Sequence, residues 1–332
     1  MDEKRMSISR TVEISCPLCA GDRSKLLFWT QDYVFGCTDD RFAVRKCLGC
    51  GCGFLSPRPR EADIGSYYPP EFYWSWEGHD GRIGWQEILD KRRAQLEGKG
   101  AWLNDLPPGK LLDIGAQKGE FLWFMKNKGW EVEGVELDET VPNPGSMPIR
   151  YGDFLTMEFE EGAYDVVTFW AVLEHVYDPK RFVEKAARLL KPGGRLVALV
   201  TNLDSIQSRW YTADDYPRHL TLFTQSSLAK LGDSTGLELT AHKTDQAIFG
   251  GTLNGGLLYG FKRLLGYSTD DAMREWKQIR QPDLFWTTWR GHGSWIVKCI
   301  SRIDRLVTMP LERLLDRMGY GFILTFEYRK RS

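Results

Sequence analysis

The 332-residue chain carries 44 Lys and Arg against 45 Asp and Glu, for a formal net charge of -1 and a sequence pI of about 6.6. That balance offers no general attraction to nucleic acid or to an anionic membrane, so both are disfavoured as partners. With 42% hydrophobic residues the chain can bury a substantial core, as two domains or as one domain with additions.

The opening MDEKRMSISR has no apolar leader, and no run reaches the roughly 18 apolar residues of a spanning helix. The expected location is cytoplasmic. In that setting seven cysteines argue for metal ligation or free thiols rather than disulfides. Cys16 and Cys19 form one C-x2-C pair and Cys47 and Cys50 another, separated by 27 residues. Each pair offers two thiolates from one tight turn, so the four are expected to hold one structural zinc in a small ribbon over residues 1–60, with alternating strands near 25–29 and 42–45. Of the three others, Cys37 and Cys52 lie in the same region, and Cys52 is close enough to Cys50 to substitute as a ligand.

Residues 61–105 read as a proline- and tyrosine-rich connector followed by a helix over about 83–103, where Trp85, Ile88, Leu89, Arg92 and Leu96 recur at helical spacing. Tyr67 and Tyr68 are candidates to face a ligand. Residues 110–123, KLLDIGAQKGEFLW, read as a buried strand, a glycine turn and a helix start. Asp113 ends the strand, Gly115 and Gly119 free the backbone, and the turn opens a small-molecule crevice. The loop does not supply G-x-G-x-x-G, so a dinucleotide is a poor fit. A second strand over 130–136 ends in Glu136, 23 residues beyond Asp113, a spacing that suits a carboxylate accepting from both hydroxyls of a ribose. Pro142, Pro144, Gly145 and Pro148 then forbid a long crossover helix.

Strands are expected near 149–153, 164–169 and 195–200, with a helix opened by Asp178 and Pro179 and stopped by LKPGG at 190–194. WAVLEH, residues 170–175, sits at the carboxyl end of the fourth strand. A further helix over 224–236 precedes strands at 237–244 and 322–329.

With Asp113, Gly115, Gly119, Glu136, Asp153 and His175 in this order, the segment from about 110 to 200 resembles the class I S-adenosylmethionine (SAM) dependent methyltransferases. The family's D-x-G-x-G-x-G is met here with Gln117 at the middle glycine, a change the loop tolerates if that side chain turns outward. The resemblance implies an α/β, Rossmann-like seven-stranded sheet ending in an antiparallel strand, with SAM as cofactor. It further implies that Asp153 and Phe154 meet the adenine, that Trp170 lies at the cofactor, and that His175, in the family's L-E-H, lines the methionine end. Paired cysteines, a P-R-P segment and a tyrosine pair are similar to methyltransferases with an N-terminal zinc-binding region, sugar C-methyltransferases among them.

Methyl transfer needs positioning and exclusion of water, and a base when the acceptor is a hydroxyl or an acidic carbon. His219, in the polar loop after the fifth strand, is the expected base, with His175 beside the cofactor and Tyr216 and Asp215 in reserve. The expected layout is a core over 106–245, a helical insert over 246–321 and a last strand over 322–332. For that insert a lid, a dimer face, a peripheral membrane contact and plain packing are all open readings. The acceptor is expected to be a small molecule methylated on oxygen or carbon, such as a sugar or a phenol. The rival is a zinc-ribbon nucleic-acid-binding protein with a degenerate SAM fold.

Overall fold

The continuous apolar runs and the alternating ones form two different sheets. The computed structural model describes residues 10–32, 35–68, 84–206, 208, 215–245, 248 and 295–331. Strands β1 (Ser24–Thr30), β2 (Phe42–Cys47) and β3 (Gly53–Leu55) make an antiparallel N-terminal sheet. Helix α1 (Trp85–Gly100) buries Ile88, Leu89 and Leu96, and Arg92 on the same face meets Glu120. There follow β4 (Lys110–Ile114), α2 (Glu120–Lys126), β5 (Glu131–Glu136), β6 (Ile149–Tyr151), β7 (Tyr164–Trp170), α3 (Pro179–Leu189) and β8 (Leu190–Thr201). After β9 (Thr221–Leu222) come α4 (Gln225–Thr235), β10 (Leu237–Thr244), α5 (Trp295–Arg317) and β11 (Ile323–Lys330).

The large sheet has seven strands in the order β10-β11-β8-β7-β4-β5-β6, with β11 antiparallel to both neighbours and the pairs from β8 to β6 parallel. This is the expected architecture. Parallel strands covered on both faces must be apolar throughout, and Val166, Val167 and Phe169 of β7 are fully buried. Helix α3 starts where Asp178, the opening residue read from the sequence, accepts from the Arg181 N–H, and α4 starts with reciprocal Thr224 and Ser227 bonds. Between β5 and β6 there is no helix, as the prolines require. LKPGG does more than stop α3, because Leu190 already pairs with Tyr164 before a register shift to Arg195.

The N-terminal strands do not stand apart from the large sheet. Strand β9, which follows the polar loop after β8, pairs antiparallel with β3 and gives the small sheet the order β9-β3-β2-β1. The same return stretch bridges to the end of β8, with Leu203 N–H donating to Phe223 O and Phe223 N–H to Thr201 O. Phe42, Val44, Leu55, Tyr67, Tyr216, Leu220 and Leu222 share one core. Of the 246–321 insert, residues 246–247 and 249–294 lie outside the described residues, while α5 is a long helix containing Pro310. Among the described residues no helix is long and apolar enough to cross a membrane.

One buried charge pair fixes this junction. Arg218 and Asp32 have no exposed side-chain surface, and Arg218 Nη2 donates to Asp32 Oδ1 at 2.9 Å. Arg218 also reaches Asp32 Oδ2, Asp215 Oδ1 at 2.6 Å and the Tyr67 and Tyr216 carbonyls. Asp32 accepts in turn from the Phe35 and Cys37 N–H groups. Burial alone would raise Asp32, but the Arg218 hydrogen bonds and charge outweigh it and hold the carboxyl below its ordinary value. Breaking a buried pair from one side leaves an uncompensated charge, so Arg218→Met is expected to destabilise the protein by about 3–5 kcal/mol in urea unfolding. Since the Asp32 pKa is depressed, the wild-type advantage is present above the unfolded carboxyl value and fades as pH falls through the folded one, so the two denaturation curves should converge in acid.

Candidate active site

Asp113, at the carboxyl end of β4, is buried, and its Oδ1 accepts from Thr168 Oγ1 of β7 at 2.6 Å. Burial pushes this carboxyl up to about 7, against the opposing effect of the Thr168 bond. The glycine turn that follows is geometrically constrained. Gly115 has φ +75°, and a Cβ there would stand 2.5 Å from Val172 Cγ2; Gly119 has φ +83°, and a Cβ would stand 2.9 Å from Met147 Cγ. The turn is thereby pressed against the segment following β7. Gln117 is exposed, so its side chain does turn outward, and it holds a left-handed φ of +48°. Ala171, just past β7, has φ +59°. Non-glycine residues in this region carry about 1–3 kcal/mol of strain each, and these two flank the same crevice.

Glu136 closes the crevice on the other side. Its Oε2 accepts from Gln117 N–H at 2.9 Å, and its Oε1 from Leu137 N–H at 2.8 Å and Asp138 N–H at 3.3 Å. Burial raises its pKa in spite of these donors. A carboxylate at this strand end, one strand from Asp113 and aimed at the glycine turn, is placed to accept from two adjacent hydroxyls. Asp153 follows β6, the strand beside β5, and is exposed, with Oδ1 accepting from Leu155 N–H at 3.0 Å.

Phe154 differs from its expected place. Its ring lies between Phe159, Phe169 and Phe182 in the core, and its carbonyl accepts from Lys185 Nζ. Trp170 is 6% exposed, packs edge-on to Phe121, and has the Lys99 ammonium 5.3 Å from its ring centroid. Its indole N–H meets no acceptor among the described residues.

The expected proton-handling residues separate into two groups. His175 and His219 come together, with ring centroids 4.5 Å apart and the planes nearly perpendicular. Tyr68 OH lies 3.3 Å from His175 Nδ1, and Thr201 Oγ1 lies 3.3 Å from His219 Nδ1. Burial, and then the neighbouring His219, hold His175 down to about 3, so it is neutral at physiological pH. Tyr216 is a correction. It is fully buried in the N-terminal core with its ring edge-on to Phe28, and presents no surface to an acceptor. Tyr67 is likewise a core residue, packed on Phe42, and only Tyr68 of the pair reaches the site. Asp215 is oriented by Arg218 and its carbonyl accepts the His219 N–H. Trp210, Tyr211, Asp214, His79 and His292 lie outside the described residues.

At the N-terminal turns the sulfurs of Cys16, Cys19, Cys47 and Cys50 lie within 4.8 Å of one another, two pairs of them 3.5 Å apart. Tetrahedral zinc with Zn–S bonds of about 2.3 Å has sulfur–sulfur edges of about 3.8 Å, so the four fit the metal. The Gly49 and Cys50 N–H groups donate to Cys47 Sγ, the backbone support a thiolate requires. Cys52 is a fifth, fully buried sulfur, 3.4 Å from both Cys16 and Cys50.

The buried Asp113 has a testable consequence. A carboxyl whose folded pKa is raised favours the folded state below its unfolded value of about 3.9, and that contribution is lost as pH rises through the folded value of about 7. Without ligand, stability measured by urea unfolding is therefore expected to fall between those limits. Asp113→Asn should flatten that part of the profile.

A family model described as a methyltransferase domain matches residues 86–242. The ubiquinone biosynthesis O-methyltransferase of Acinetobacter baumannii (strain AYE) is 29% identical over 126 residues, covering 35% of this chain and 48% of the relative. The enzyme of the same description from Erwinia tasmaniensis is 31% identical over 119 residues, covering 31% and 46%. The chain thus spans about half the length of the curated relatives it matches. Among solved structures, the 1,6-didemethyltoxoflavin-N1-methyltransferase of Burkholderia thailandensis overlaps 88% of this chain and 96% of its own at 14% identity and a TM-score of 0.45. Residues 86–242, which span the glycine turn, Glu136 and the paired histidines, thus match a methyltransferase domain.

Proposed function

We propose that this protein transfers the methyl group of SAM to a small-molecule acceptor, by O- or C-methylation of a sugar, phenol or related metabolite. The observation that carries the reading is Glu136, a carboxylate held by the backbone of the glycine turn at the end of the strand next to Asp113. The described names of the matched relatives favour oxygen as the acceptor atom.

SAM supplies a methyl carbon already activated by its sulfonium. Glu136 accepts from the ribose hydroxyls, Asp153 and the Phe154 backbone meet the adenine, and Gly115 and Gly119 let the methionine part lie against the main chain. Trp170 and Phe121 keep water from the reacting end. The acceptor enters the corner formed by Tyr68, His175 and His219. There its oxygen lone pair forms the new bond to carbon while the S–C bonding pair returns to sulfur and the hydroxyl proton leaves. The two imidazoles are the groups able to take or direct that proton.

Cys16, Cys19, Cys47 and Cys50 hold a structural zinc in this reading, since four thiolates leave no open coordination position. Two measurements test the proposal. Glu136→Ala should weaken S-adenosylhomocysteine binding by about 1–3 kcal/mol in calorimetry, the usual consequence of leaving buried polar groups without a partner. Unchanged affinity would remove Glu136 from the ribose site. Metal analysis of protein purified without chelator should find zinc that disappears in the Cys47→Ser, Cys50→Ser double variant; zinc retained there would exclude the thiolate assignment.

A further inference from the structure

Glu174, His175 and His219 each offer one ligand atom, and these atoms lie within 4.8 Å of one another. The three come from two loops at the carboxyl edge of the sheet, Glu174 and His175 after β7 and His219 between β8 and β9. Glu174 is held there by its own main chain, whose carbonyl accepts from the Leu220 and Thr221 N–H groups on the opposite loop. Bonds of about 2.0–2.2 Å to nitrogen and carboxylate oxygen place donors about 3–3.6 Å apart, so small side-chain rotations close this set on one cation.

We infer that Glu174, His175 and His219 bind a divalent transition-metal cation, and that this cation receives the acceptor's oxygen. The reasoning rests on the methyltransferase reading only for the second half of that statement. Two His and one carboxylate are a donor set that suits zinc, manganese or iron(II) and leaves positions open. The surroundings of both rings fit the role. Ligating imidazoles are oriented through the ring nitrogen that does not touch the metal, and here Tyr68 OH and Thr201 Oγ1 each address an Nδ1, so the cation bonds Nε2 of each ring. Thr201 ends β8 and Tyr68 follows the N-terminal unit, so two further elements fix the ring orientations.

The site also adjoins the cofactor crevice. Gly115 of the glycine turn approaches Val172, two residues before Glu174, so closely that a Cβ would overlap it. A Lewis acid there lowers the pKa of a bound hydroxyl. The proton then leaves to water, and the metal-bound oxygen keeps the lone pair that forms the bond to the methyl carbon. His219 is in that case a ligand rather than the base.

The test uses full-length protein purified without chelator and titrated with cobalt(II) chloride, with S-adenosylhomocysteine binding measured on the same samples. Wild type is expected to take up one equivalent with visible d–d absorption and without the thiolate-to-cobalt charge-transfer band that marks exchange at the cysteines. The Glu174→Gln, His219→Gln double variant should lose that uptake, with His175→Gln as the second probe should the double variant not fold. Tyr68→Phe should weaken cobalt affinity about 10–100-fold, the usual effect of removing an orienting partner. Absence of saturable visible absorption in wild type that binds S-adenosylhomocysteine overturns the inference alone, as does undiminished uptake in the variants. Cobalt uptake without S-adenosylhomocysteine binding overturns the methyltransferase reading and leaves the cation site standing.

Discussion

A guanidinium with no exposed surface must find five acceptors inside the protein or lose several kcal/mol for each group left bare. Arg218 finds them on three stretches of chain: Asp32 in the N-terminal unit, the Tyr67 carbonyl at the start of the connector, and Asp215 and the Tyr216 carbonyl on its own loop. Phe35 covers its face at 4.5 Å. Because these acceptors are fixed in space, residues 215–220 have one way to lie, and His219, the residue after Arg218, is delivered beside His175. The position of the candidate acceptor corner is thus set by an ion pair that does not itself take part in it.

The cofactor side is organised differently. There the constraint is steric: Gly115 and Gly119 hold positive φ, and neighbouring side chains leave no room for a Cβ at either. Gln117 accepts a left-handed backbone between them and gives Glu136 its N–H. A middle glycine would relieve that strain without changing the hydrogen bond, which is why the departure from the three-glycine pattern leaves the crevice intact.

Much of the large sheet was legible in the sequence because buried parallel strands and helix starts write local patterns: apolar runs such as YDVVTF, and Asp178-Pro179. The Asp113, glycine and Glu136 arrangement was legible for the same reason, each residue lying at a predictable strand end. Non-local choices were not. Nothing near Asp32 or Arg218 marks them as partners 186 residues apart, and the sequence could not say which tyrosine of an adjacent pair enters the core. Tyr67 went inward and Tyr68 to His175, a matter of one residue's phase in a short 3-10 turn. Tyr216 and Phe154 were misjudged alike, since an aromatic ring beside polar motif residues gives no sign of which way it points. Glu174 and Lys118, both buried, were passed over because charged residues usually remain in water.

The pairing of β3 with β9 bears on the order in which the chain is made. Residues of the thiolate unit leave the ribosome before those of the large sheet, and their own three strands and four sulfurs can associate early. Yet the strand that covers the β3 edge, and the guanidinium that neutralises Asp32, arrive only with residues 218–222. Until then the unit holds a buried-to-be carboxylate without its partner and an open strand edge, the kind of exposed edge that other chains can pair with. A unit synthesised before the large sheet therefore finishes folding after most of it, and its completion reports that the main sheet has reached its fifth strand.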